Sequence, residues 1–237
     1  MAYALFFPTL FYLPRFDYVQ YSRYTDLSMF KRDTADFNSP SLKESLPDQI
    51  PAGRIASLKK VGEGLSWIGI SVTLSGISTL NTLTHPSFVE RGLITRLWYL
   101  HAFAFQFRCT LYGVWALVDA ALTLTGITYS GYDHRSGQPR WDSLQNVEPI
   151  GIELAQNPRA YVGNWNIKTH EWLKQYVYIR IAGSSKKTGV FAVMATFFIS
   201  ALSHGFCSGY YATFALAGLI TVAGKCKSHI PISTAHT

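Results

Sequence analysis

Charge is scarce in this chain. Asp, Glu, Lys and Arg make up 15% of its 237 residues, against about 25% in a typical soluble domain. Hydrophobic residues reach 48%. Too little polar surface is left to cover a globule, so part of the chain is expected to face lipid. Cysteine is also scarce. Cys109, Cys207 and Cys226 form no framework, and no pair has metal-site spacing. No basic segment precedes the first apolar stretch, which Pro8 and Pro14 interrupt, so it does not read as a secretory signal. There is no Walker or dinucleotide-type phosphate loop, no G-x-S-x-G elbow around a serine and no internal repeat.

What charge there is leans positive, with a formal net charge of +7. The Lys and Arg residues sit in loops between apolar runs, with acidic neighbours, rather than as a stripe on an amphipathic helix. That distribution fits anionic lipid head groups on the cytoplasmic side of a membrane and argues against nucleic acid as a partner.

In chain order, Tyr3–Leu13 is apolar but too short to span a bilayer, which takes roughly 20 helical residues; an interfacial or re-entrant piece is expected. Tyr18, Tyr21 and Tyr24 suit a head-group boundary. Residues 1–60 therefore read as an interfacial N-terminal segment and a polar loop, the loop running from Lys31 to Lys60. Residues 61–127 read as membrane helices. Leu65–Leu83 carries no charge and is a spanning segment diluted by Ser, Thr and Gly, residues that favour helix–helix contact in lipid. Leu97–Ile127 is a longer tract interrupted by Arg108 and Asp119, eleven residues apart and so on one side of a helix. Each of these is expected to face protein or to snorkel, with an internal polar cavity as the other reading.

Residues 128–188 are expected to hold a loop and an interfacial helix, Asn164–Arg180, with Asn164 as its N-cap. On that helix Asn166, Thr169, Leu173, Tyr176 and Arg180 share a face at three- and four-residue spacing, and Trp165 and Trp172 point to the membrane interface. Residues 189–224 are apolar on both sides of Ser203-His204. They make either one long helix or two with a break near Gly205 and Gly209. As one helix, Thr196, Ser200, His204 and Ser208 form a polar stripe, and Gly205 with Gly209 admits a close neighbour. Residues 225–237 are a polar tail.

His204 is the sharpest feature, because an ionisable residue inside an apolar run is costly unless it has partners or work there. A hydrogen-bonded core histidine is the bland explanation. The functional one is a general base, the role imidazole takes most often. Ser203 is not its catalytic partner, since adjacent helical residues point about 100° apart. His170 has no His or carboxylate four residues away to complete a metal site. Lys186 and Lys187, with Arg180, could meet phosphates or simply be a solvated positive loop.

The segment AQNPRAYVGNWNIKTHEWLKQYVYIR, followed by ATFFISALSHGFCSGYY, resembles the signature region of the membrane-bound O-acyltransferase family, in particular its fungal lysophospholipid acyltransferase branch. The pieces FFPTLFYLPRFDYVQY, RLWYLH, YGVWALVDAALTLTGITYSGYD and NVEPIGIELAQN are similar to that branch in the same order. The resemblance implies an all-α, polytopic integral membrane protein, a partial copy of the family's helical bundle with roughly three to five membrane-embedded helices, in the endoplasmic reticulum. It implies transfer of an acyl chain from acyl-CoA, as co-substrate, to the free hydroxyl of a lysophospholipid, with no other cofactor and no metal. His204 would be the general base and Asn166 would orient the reactants or hold the oxyanion. Trp165, Thr169, Trp172, Tyr176, Arg180, Ser200 and Ser208 would line the substrate. Ser203 stands where the family's block usually has Trp, and Leu13-Pro14 where it usually has Gly-Pro. Family members are also longer. A catalytically silent relative that acts by association is the rival expectation.

Overall fold

The computed structural model describes residues 17–30, 51–133, 135–183 and 189–227, with side chains through 224. The expectations for Tyr3–Leu13, for most of the polar loop, for Lys186 and Lys187 and for the end of the tail lie outside the described residues. Within them the protein is helical, with one isolated bridge, Tyr132 to Pro139, in place of any strand. Two compact units divide the chain, residues 1–145 and 146–237.

The first unit is built on an antiparallel helix pair. Helix α1, Tyr18–Thr25, precedes it; α2 spans Arg54–Ser75, α3 Leu80–Thr84 and α4 Leu93–Thr125. Small residues bring α2 and α4 together. A methyl group on Gly113 would lie 2.5 Å from Ile68 Cγ1 and 2.9 Å from the Gly64 carbonyl, so the backbones touch where side chains are absent. Hydroxyls stitch the same seam: Ser57 Oγ donates to the Ala120 carbonyl at 2.9 Å and Ser71 Oγ to the Gln106 carbonyl at 3.1 Å, while Ser78, just past α2, donates to the Tyr99 carbonyl at 3.0 Å.

Helix α4 has 33 residues and is, among the described residues, the one helix long and apolar enough to cross a membrane. At 1.5 Å per residue it is roughly 50 Å long. Left-handed Gly126 (φ 88°) ends it. Asp119 faces protein, paired to Lys60 Nζ on α2 at 2.7 Å. The Arg108 guanidinium lies 5.5 Å from the Phe105 ring centroid.

The Leu65–Leu83 expectation needs correction. Helix α2 starts eleven residues earlier, at Arg54, because Ser57 and Lys60 find partners on α4 that local sequence does not show. It stops at Ser75-Gly76, and the Thr79 hydroxyl caps a separate α3 by accepting from the Thr82 N–H at 3.2 Å. The polar loop expected to reach Lys60 thus ends before Arg54. After α4 the chain folds back over aromatic side chains. Phe30, Tyr129 and Trp141 cluster, and Tyr24 Oη donates to the Thr125 carbonyl at 2.9 Å.

The second unit strings short helices before an apolar hairpin. Helix α5 is Pro149–Glu153, α6 Pro158–Asn164, α7 Ile167–Leu173 and α8 Ile179–Ala182. A π-helical turn, Lys174–Tyr178, joins the last two. Helix α9, Val190–Ser203, and α10, Ser208–Lys227, form the hairpin. Of the two arrangements open for residues 189–224, the broken one is found. His204 ends α9 and Gly205 takes φ 108°, a conformation glycine adopts at little cost. Ser208 therefore opens a new helix and does not extend a stripe through Thr196, Ser200 and His204. The close approach expected at Gly205 and Gly209 occurs instead at Gly218, where an added methyl would lie 2.8 Å from Met194 Sδ. Phe191 and Phe206 stand outward, 76% and 90% exposed, side chains that ask for lipid or a partner.

Candidate functional site

Asn166 and His204, the two residues expected to carry acyl-transfer chemistry, both fall in the second unit. Asn157 starts this region properly: its Oδ1 accepts the Ala160 N–H at 2.8 Å and Pro158 occupies the first position of α6. Asn164, expected to cap the next helix, instead closes α6, its Nδ2 donating to the Ala160 carbonyl at 2.9 Å. The chain then turns at Trp165, whose ring stacks on Tyr161 at 6.3 Å with an interplanar angle of 12°.

Asn166 is the true N-cap of α7, in the left-handed region at φ 48°, ψ 50°. Asparagine tolerates that conformation better than most residues. Its side chain makes no capping hydrogen bond. An amide at this position normally uses its oxygen on the second or third N–H of the helix; here that oxygen is left available.

Past α7 the chain continues through the π-helical turn into α8. Trp172 and Tyr176 face each other at 5.6 Å, and the Arg180 guanidinium lies 5.3 Å from the Tyr176 ring centroid. Leu173, expected to share the Asn166 face with Tyr176 and Arg180, is buried. Of the face expected through Asn166, Thr169, Leu173, Tyr176 and Arg180, Tyr176 and Arg180 are in contact, and Trp172 extends them into a Trp172–Tyr176–Arg180 column. Thr169 is half-buried on α7. His170 is turned outward beside it; partial desolvation of its ring, and then the Lys174 ammonium, hold its pKa below that of free imidazole.

His204 sits at the C-terminus of α9, where its N–H closes the helix onto the Ala201 carbonyl at 3.0 Å. Its ring is exposed and is flanked by two rings of α10, Phe214 at 5.0 Å and Tyr210 at 5.6 Å. Aromatic faces attract a cation, so this flank suits a ring that becomes an imidazolium during a reaction. Ser200 is buried, and its carbonyl accepts from Ser203 Oγ at 2.6 Å. Ser208 is exposed at the start of α10.

Helix α10 packs on α6, and α9 on the π-helical turn, which ties the two halves of the candidate site into one unit. No hydrogen bond or ring contact among the described residues joins Asn166 to His204. Tyr210 and Phe214 escaped the sequence reading because a continuous helix would have pointed them away from His204; Gly205 was the available signal. Among the described residues no cluster of His, Cys, Asp or Glu is arranged to hold a metal.

Among the described residues the fold is all-helical, with one helix of membrane-spanning length and an apolar hairpin broken at a histidine. Residues 1–230 match the model of the MBOAT, membrane-bound O-acyltransferase family, and the chain belongs to that family. It is 38% identical over 231 residues to the lysophospholipid acyltransferase of Schizosaccharomyces pombe, covering 97% of this chain and 44% of that protein. To the lysophospholipid acyltransferase of Saccharomyces cerevisiae it is 34% identical over 228 residues, 95% of this chain and 37% of that one. Membrane-bound glycerophospholipid O-acyltransferase 1 of Mus musculus is 33% identical over 183 residues, 77% of this chain and 35% of its own length. The chain thus spans less than half the length of these curated relatives.

Proposed function

We propose that this chain carries the reacting groups of an acyl-CoA-dependent lysophospholipid O-acyltransferase, a multi-pass protein of the endoplasmic reticulum. The observation that carries the reading is the presence, in one folded unit, of an Asn166 amide that makes no cap bond and an exposed His204. Family membership and the activity for which the fungal relatives are named support it.

Acyl transfer from a thioester asks for two things. The attacking alcohol must lose its proton, and negative charge on the carbonyl oxygen must be held. His204 removes the proton from the free hydroxyl of the lysophospholipid as its oxygen bonds to the acyl carbon. The Asn166 amide N–H donates to the oxyanion, a contribution worth about 10²–10³ in rate when such a donor is removed elsewhere. The intermediate collapses with cleavage of the C–S bond, and the imidazolium returns the proton to the departing CoA thiolate. Phe214 and Tyr210 flank the imidazolium between these two steps. The Trp172–Tyr176–Arg180 column offers a planar cation backed by a ring, suited to a phosphate of either substrate. Trp165 lies on the turn that presents Asn166 and Thr169 in the first turn of α7, with Ser200 and Ser208 on either side of the His204 break, as further substrate-lining positions.

The test is product formation in membranes lacking endogenous lysophospholipid acyltransferase. Radiolabelled oleoyl-CoA is offered with lysophosphatidylcholine, lysophosphatidylethanolamine or lysophosphatidylserine. The expected outcome is label in the diacyl phospholipid with one CoA thiol released per acyl group moved. Stable membrane insertion without transfer to any of the three would overturn the enzyme reading and leave a silent member that acts by association.

A further inference from the structure

Asn166 stands at a helix N-terminus without capping it, which leaves the first backbone N–H groups of α7 needing partners. They find both on one residue twenty positions upstream. The Asn146 carbonyl accepts the Ile167 N–H at 2.8 Å, and Asn146 Oδ1 accepts the Lys168 N–H at 3.2 Å. Asn146 is itself buried, 6% exposed, so a polar side chain there is tolerated because it is hydrogen-bonded. The neighbouring strand of chain is pinned as well. The Glu148 N–H donates to the Asn164 carbonyl at 3.0 Å, and Gly151 leaves room for the Asn164 side chain, whose Nδ2 would lie 2.7 Å from a methyl at that position.

We propose that Asn146 is a positioning residue for acyl transfer: it caps α7 in place of Asn166 and so frees the Asn166 amide for the reacting carbonyl. The two asparagines divide one task. An N-cap residue at φ 48° lies outside the extended backbone from which such side chains usually bond their helix, so the helix end needs other acceptors, and Asn146 supplies both from a buried site. Without it, the Asn166 oxygen becomes the nearest acceptor for the Lys168 N–H, and the amide is turned inward onto its own helix. The inference rests on the reading of Asn166 as the oxyanion donor.

The test compares Asn146→Ala, Asn146→Asp and Asn166→Ala with the parent chain in the same membranes, each normalised to inserted protein. Hydrogen–deuterium exchange of the peptide covering 164–173 is measured alongside. Asn146→Ala should speed exchange there and lower kcat at least tenfold, with KM for lysophospholipid and oleoyl-CoA changed less than twofold. Asn146→Asp keeps the acceptor oxygen and should restore slow exchange and most of kcat. An Asn146→Ala protein that inserts normally and keeps its kcat, while Asn166→Ala loses activity, would overturn this inference and leave the Asn166 role standing. Full activity of Asn166→Ala would overturn both.

Discussion

Lys60→Met isolates what holds the antiparallel pair α2 and α4 together. Lys60 Nζ meets Asp119 Oδ2 at 2.7 Å, and the two side chains keep only 20% and 15% of their exposure. The same ammonium donates to the Trp141 carbonyl, so it ties the pair to the loop that follows α4. At this separation and an effective dielectric of about 20, the gross attraction is roughly 6 kcal/mol. Desolvation of both ions cancels much of that. Deleting one partner, however, leaves Asp119 buried and unpaired, and removing one member of a buried pair typically costs about 3–5 kcal/mol. Asp119 Oδ1 already lacks a partner, so the carboxylate has no second donor to fall back on. Residual solvent access reduces the expected cost to about 2–3 kcal/mol. For a chain of this size that is roughly 5–10 °C in the unfolding midpoint. The assay is thermal unfolding of the detergent-solubilised protein by intrinsic tryptophan fluorescence, with Lys60→Met, Asp119→Leu and the double variant compared. The double variant should recover most of the loss, because it removes the stranded charge. If both single variants unfold within 1 °C of the parent, the pair is not a structural tie.

Two further substitutions test the packing. Gly113→Ala places a methyl 2.5 Å from Ile68 Cγ1 and 2.9 Å from the Gly64 carbonyl, so it should cost about 1–3 kcal/mol in the same unfolding assay, whereas Gly62→Ala, with nothing within 4 Å, should cost nothing measurable. Gly205→Ala meets open space but demands φ 108° of an alanine; a loss of about 1–2 kcal/mol is expected, and an unchanged midpoint would show that the α9–α10 turn is free to re-form.

Sequence conveyed the helices whose stability is local and missed the features that depend on distant partners. The long apolar tract was legible as Leu97–Ile127, but the helix runs Leu93–Thr125, starting four residues earlier and ending at the left-handed cap Gly126. The hairpin was half legible: Gly205 marked a possible break, but the same spacing also drew a polar stripe through Ser208 that the turn abolishes. Helix α2 was misplaced because Ser57 and Lys60 are helical for a tertiary reason, their partners Ala120 and Asp119 being some sixty positions away. Asn164 and Asn166 flank Trp165, and both are good N-cap residues by type. Which of them caps, and whether its side chain takes part, is decided by Asn146, a residue in a stretch with no periodicity. The π-helical turn at Lys174–Tyr178 carries no sequence mark, whereas the Trp172–Tyr176 and Tyr176–Arg180 contacts follow the four-residue spacing that was legible.

The most direct test of the proposed chemistry is His204→Ala, assayed for transfer of the radiolabelled acyl chain from oleoyl-CoA to lysophospholipid at matched levels of inserted protein. Loss of a general base typically costs about 10²–10⁴ in rate, so the account predicts a fall in kcat of at least a hundredfold with both KM values within a factor of about two. An unchanged kcat in a stably inserted His204→Ala protein would contradict it.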